Sequence, residues 1–268
     1  MSRPRYHVAF IFAIAGTMAL AGCGKDSPLQ PSATSQQDSD DAAQQVAFMM
    51  ATDNGTSPET QAAPGQSLTS ARGASTYSTN GIASTDTTFT LGHVTWTITR
   101  SFFNAAGTEQ STFNPLSTVR MNLTSRGTGS IQTPADTASY GSTGSLQLVG
   151  LEFTQDSLVL NATRHDTLQT TFTPRFRTGR LYTYAEATGI IQNVVAVKPL
   201  SPTSYPLSGT ATWTLKVDRL RTNNRVNVDR HYDILVSVTF NGTANPDVST
   251  STGYHYKMNL KTGLLVRS

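Results

Sequence analysis

Between Val94 and Leu260 apolar residues recur at every second position. Val94, Trp96 and Ile98 alternate with Thr95, Thr97 and Thr99, and Val119, Met121 and Leu123 alternate with Arg120 and Asn122. Gln147 to Phe153 and Leu158 to Leu160 repeat the pattern, and Tyr254, Tyr256, Met258 and Leu260 close it. A period of two is the signature of a strand with one face buried and the other in water. Threonine supplies about 40 residues, and its branched side chain suits a pleated surface. Ile190 to Val197 is apolar on both faces, which predicts a central or doubly covered strand. These segments predict an all-β domain over residues 81–268, with about nine to eleven antiparallel strands. Its form is a β-sandwich or a curved, barrel-like meander.

The clearest hairpin lies near the C-terminus. Ala211, Trp213, Leu215 and Val217 share a face of one strand; Tyr232, Ile234, Val236, Val238 and Phe240 share a face of the next. A two-residue turn at Asn223-Asn224 pairs Trp213 with Ile234, Leu215 with Tyr232 and Lys216 with His231. At its turn end the apolar face gives way to Arg219, Arg221 and Arg230, so the hairpin is expected to project past the core into solvent.

Upstream, Gly24 to Gln45 holds Ser, Gln, Asp, Pro and Ala with almost no bulky apolar side chain. Such a segment buries too little to offset its ordering entropy, so it is expected to be a disordered tether of about 22 residues, reaching roughly 25 Å. Within 23–80 one short helix is expected over 42–51. It would be capped by Asp40 or Asp41, with Ala43, Val46, Met49 and Met50 along one stripe. Too short to stand alone, it should cover an open end or edge of the sheet, or else meet a partner. Asn54 to Asn80 reads as loop.

The first 22 residues have the three parts of a secretory signal. Arg3 and Arg5 precede an apolar run, Val8 to Leu20, too short for a membrane span of about 20 residues. Leu20-Ala21-Gly22-Cys23 then resembles the lipobox of bacterial lipoproteins. The resemblance implies cleavage before Cys23, lipidation (including palmitate) of its thiol, and membrane attachment through several acyl chains. Gly24 rather than Asp follows the cysteine, which in that family implies the outer membrane of a two-membrane cell, or otherwise the outer face of the cell membrane. Cys23 is the chain's one cysteine, so no disulfide is expected. Losing Arg3 and Arg5 brings the formal charge from +3 to near +1, which argues against nucleic acid as a partner despite a pI near 9.1.

Candidate chemistry is sparse. His93, His165, His231 and His255 lack metal-ligand spacing and read as exposed strand residues, so neither metal nor cofactor is expected. Arg164-His165-Asp166 resembles a triad fragment only on paper, because neighbours on a strand point to opposite faces. Glu152 and Asp156 could form a glycosidase pair only if the fold brought them together. Arginine is the strongest polar feature: basic residues outnumber acidic ones from Ile82 onward, while Gly24 to Thr60 is acidic by five. Arg219, Arg221, Arg225 and Arg230 are the candidate ligand-binding group, suited to an anionic lipid or glycan. The alternative is a solvated basic face, contacted by the chain's own acidic segment. The expectation is an envelope lipoprotein that binds a ligand or partner, or has a structural role, without catalysis. A surface-displayed hydrolase of glycans or esters and a small lipid carrier are the rival readings.

Overall fold

Most of the alternating segments become strands, but the expected strand over Gln147 to Phe153 stops at Val149 and gives way to a turn, and Tyr254 and Leu260 lie just outside their strand. The computed structural model describes residues 35–52, 56, 87–91, 93–132, 137–172, 180–198, 205–223 and 226–268. The signal segment, Cys23, residues 24–34 and nearly all of the loop expected over 54–80 lie outside the described residues. Helix α1 (Gln36–Met50) is followed by β1 (Thr87–Leu91), β2 (Val94–Asn104), β3 (Glu109–Gln110), β4 (Thr118–Gln132), β5 (Thr137–Val149) and β6 (Ser157–Phe172). Then come β7 (Arg180–Val197), β8 (Ser208–Asn223), β9 (Val226–Thr239), β10 (Asp247–Thr250), β11 (His255–Met258) and β12 (Leu265–Arg267). Each strand pairs antiparallel with the next along the path, apart from the short β3, which hangs on β2. The result is one open meander of twelve strands, the curved-meander form of the expected all-β fold and not a two-sheet sandwich.

One register and one burial pattern differ from the sequence reading. In the β8–β9 hairpin Asn223 pairs with Val226 and Trp213 faces Val236. The whole ladder is displaced by two residues from the expected pairing. A displacement of two leaves every side chain on its own face, so apolar alternation cannot detect it. In β7, Ile190 and Val197 are 47% and 43% exposed, so this central strand is not doubly covered. Its inward residues Ile191 and Val194 stand three apart instead of two or four. A bulge between Gln192 and Val195, with Asn193 at φ 52°, restores the phase. The apolar run on both faces is the imprint of that bulge.

The buried face of the sheet and α1 form one core cluster, with α1 lying against β8, β9, β10 and β12. Helix α1 begins six residues before the expected start, at Gln36 and not at residue 42. Ser35 caps it: Asp38 N–H donates to Ser35 Oγ, and Ser35 N–H donates to Asp38 Oδ2 at 2.7 Å, a reciprocal capping box. Asp40 and Asp41, expected as caps, lie inside the helix and are buried. Residues 35–45 therefore belong to the fold and not to the tether.

Glycine makes room for the two tryptophans. On the inner face Gly127 lies beneath the Trp96 ring and Gly189 beneath Trp213, where an added Cβ would come within 2.6 and 2.5 Å of ring carbons. Overpacking of this kind costs about 1–3 kcal/mol. Gly189→Ala should lower stability by that amount in urea unfolding, and by clearly less in a Trp213→Leu background.

Candidate functional site

The arginine face expected in solvent is turned inward. Arg219 projects from the inner face of β8 and is 4% exposed. Its Nη1 lies 2.8 Å from Asp38 Oδ1 and 2.6 Å from Asp41 Oδ2. Arg230 stands directly opposite on β9 and places Nη2 2.7 Å from Asp38 Oδ2. Two cations side by side across a ladder repel, and Asp38, wholly buried between them, removes the repulsion. Arg267 of β12 grips Asp40 with Nε and Nη2, while the Tyr256 hydroxyl of β11 donates to Asp40 Oδ1 at 2.9 Å. Three acids of one helix meet three arginines of three strands.

Helix polarity supports this placement, since carboxylates in a first turn face the positive end of the macrodipole. Burial pushes the Arg219 pKa down, but Asp41, Tyr232 and Asp38 together outweigh it and the net shift is upward. Burial also raises the Tyr256 hydroxyl, and Asp40 adds to the rise, so Tyr256 stays a donor. Arg219 and Arg230 thus follow the alternative of contact with the chain's own acidic segment. Of Arg221 only the backbone is described, in β8, and Arg225 lies outside the described residues.

A second polar cluster sits on the inner face of β5 and β6. Arg164 Nη2 and Asp166 Oδ1 form a buried ion pair at 3.0 Å, and the Tyr140 hydroxyl lies 2.7 Å from the same oxygen. Arg164 also donates to the Thr56 carbonyl at 2.7 Å. The Thr56 hydroxyl in turn donates to the carbonyls of Phe48 and Ala51 at 3.1 and 3.5 Å, in and just past the last turn of α1. Orphan carbonyls at a helix end need such partners. Thr56 therefore joins the helix C-terminus to the cluster. Burial, opposed by Arg164, holds the Tyr140 pKa well above its ordinary value. His165, between the two charged residues, points outward and meets Glu186 at 3.4 Å. The 164–166 run is split between faces as alternation required, and Asp166 is committed to Arg164 and Tyr140.

His93, His165, His231 and His255 are all exposed. With the ladder displaced, His231 faces Asp218 and not Lys216; its Nδ1 lies 2.6 Å from Asp218 Oδ1, which raises its pKa. Glu152 and Asp156 flank Lys198, whose ammonium donates to the carbonyls of Gly150 and Glu152. Among the described residues no three His, Cys, Asp or Glu side chains gather as a metal site.

Sequence reasoning missed Asp38, Asp40, Asp41, Gln45 and Thr183 as buried partners. Gln45 Nε2 donates to Thr183 Oγ1 at 3.1 Å. One signal was available: Ser35-x-x-Asp38 has the spacing of a capping box. No family model, curated protein or solved structure matches this chain.

Removing one partner of a buried ion pair strands the others and costs about 3–5 kcal/mol. Arg219→Met should lower stability by that order in denaturant unfolding, and adding Asp38→Asn and Asp41→Asn should return part of it. At the exposed pair, an NMR titration should place the His231 midpoint above the ordinary value of about 6.5, and Asp218→Asn should lower it. The pair favours the folded state at pH below the unfolded pKa of His231. That contribution fades as pH rises through the folded value.

Proposed function

We infer that the chain is a bacterial envelope lipoprotein, cleaved before Cys23 and acylated there. It presents its β domain as a non-catalytic binding or structural module. The observation that carries this reading is the position of the chain's one cysteine, at the end of Leu20-Ala21-Gly22-Cys23 behind a secretory signal. The start of α1 at Gln36 supports it: residues 24–34 separate the anchor from the Ser35 cap. Eleven residues extend to at most about 40 Å, so the domain stays close to its membrane. Gly24 after the cysteine favours the outer membrane where the cell has one.

A non-catalytic role is favoured by where the charged groups go. Asp38, Asp40, Asp41 and Asp166 are buried in ion pairs, out of reach of a substrate. The exposed pairs His165–Glu186, His231–Asp218 and Lys257–Asp247 are cross-strand neighbours or diagonals on the outer face, where pairs contribute little. The same neutralisation, with a net charge near +1 after processing, leaves little to attract nucleic acid.

Mass spectrometry of the N-terminal peptide from the native host tests the reading. The expected peptide begins at Cys23 and carries diacylglycerol and an amide-linked acyl chain, and Cys23→Ser should abolish palmitate incorporation and leave the larger precursor. An unmodified peptide beginning elsewhere would refute the assignment.

A further inference from the structure

Helix α1 is an unusual occupant for the inside of a β domain. A helix buried on all sides is normally apolar all round, yet Asp38, Asp41 and Gln45 are at most 2% exposed. Its N-terminal turn is anionic, and the following turns bury Ala42, Ala43, Val46, Ala47 and Met49. The bed has the same polarity. Arg219, Arg230 and Arg267 stand at its head. Leu215, Val217, Ile234, Val236 and Val248 are buried apolar residues of β8, β9 and β10, strands that α1 lies against. From Val217 to Ala211 the floor runs about 20 Å.

The fit at the head is incomplete. Both carboxylates that reach Arg219 take the same nitrogen, Nη1, while Arg219 Nε is buried with no hydrogen-bond partner. Gln45 Oε1, on the helix itself, is also buried without a partner. A buried donor left unpaired costs about 1–3 kcal/mol, and native cores avoid it. Arg267 shows the contrast, using both Nε and Nη2 on Asp40. A guanidinium is built for two parallel bonds to one oxyanion, and Arg219 offers that fork unfilled.

We propose that the bed of α1 is a binding site for an anionic amphiphile, an acyl chain ending in a carboxylate or phosphate, and that α1 occupies it as an internal stand-in. The oxyanion takes the place of Asp38 and Asp41 on Arg219 and pairs the Nε that they leave without a partner. The acyl chain takes the floor that the alanines, Val46 and Met49 cover. The exchange is electrostatically feasible because only Arg219 is deeply buried; Arg230 and Arg267 side chains are 20% and 43% exposed and turn to water when their acids leave. The helix carries its own charges out with it, where water and the positive end of its dipole receive them.

The fold supplies a reversible lock for the test. Ser39 Oγ lies 2.5 Å from Thr252 Oγ1, between the first turns of α1 and the β10–β11 turn. In the chain from Gly24, which has no other cysteine, Ser39→Cys with Thr252→Cys gives a disulfide that holds α1 in place and a dithiol that releases it. The same protein is measured oxidised and reduced, by native mass spectrometry and calorimetry, against laurate, lauroyl lysophosphatidic acid and neutral dodecyl maltoside. The reduced form should bind the two anions one to one, at least tenfold more tightly than the maltoside, and oxidation should weaken both at least tenfold. The tighter of the two anions distinguishes a fatty-acid from a phospholipid source. Equal affinity in both redox states would place the ligand elsewhere, and no anion binding in the reduced form would remove the site. Maltoside binding as tight as laurate would remove the role of Arg219. Because Cys23 is left out, none of these outcomes depends on the lipid anchor.

Discussion

Asp38 and Asp41 on Arg219 are the contact on which the rest of this structure turns. A single meander sheet has one face that must be covered, and among the described residues there is no second sheet to cover it. Helix α1 is the element that lies against β8, β9, β10 and β12, and it is short, polar and marginal by itself. It can enter a core only if its carboxylates are met by opposite charge, because an unpaired buried carboxylate is prohibitive. Arg219 and Arg230 could not face each other across the ladder without those acids. Helix and hairpin therefore require each other: each would be a fault without its partner. Such pairs add little net stability over apolar side chains of the same size, but they are strict about position. Arg219 and Arg230 fix the rotation of α1, while Arg267 and Tyr256 fix it from the other side.

What the sequence made legible follows from what alternation can and cannot encode. It identifies strands and faces, so Val94, Trp96 and Ile98, Ala211 to Val217 in β8 and Tyr232 to Val238 in β9 were placed on the correct side. It carries no information on displacements by two, which is why Trp213 was paired with Ile234 although it meets Val236. At β7 it pointed to a central or doubly covered strand; the strand is central, and the apolar residues on both faces come from the bulge between Ile191 and Val194. The helix was half visible. Its apolar end, Val46 to Met50, showed; its acidic end did not, because composition treats Asp, Ser and Gln as solvated. Only knowledge of a partner overrides that, and the partner lay about 180 residues away in the chain.

The candidate site was legible in its parts and not in its assembly. The surplus of arginine and the acidic stretch before Thr60 were both apparent, and so was the chance that one answered the other. The turn-end position of Arg219 nevertheless argued for solvent, since a hairpin's tip usually leaves the core. Here the covering helix begins at that end. The arginines meet its first turn at the level where the apolar floor stops, and the core is prolonged by ion pairs where Val217 gives way to Arg219.

This arrangement also ties the proposed anchor to the interior. The chain passes from Cys23 through eleven residues to Ser35, and Ser35 caps the turn that carries Asp38. Side chains of β8, β9, β11 and β12 hold that turn by charge and hydrogen bond. The C-terminal end is held through Thr56 to Arg164 and Tyr140 and through the Thr52 amide to the Leu260 carbonyl. The two ends differ in kind. The first is ionic and stands next to the segment that leads to the proposed anchor. The second joins the Thr56 and Leu260 carbonyls to the Tyr140 hydroxyl, the Thr52 amide and an Arg164 guanidinium already paired with Asp166 deep in the sheet. On the proposed exchange an anionic ligand competes at this charged end, where Asp38 and Asp41 hold Arg219.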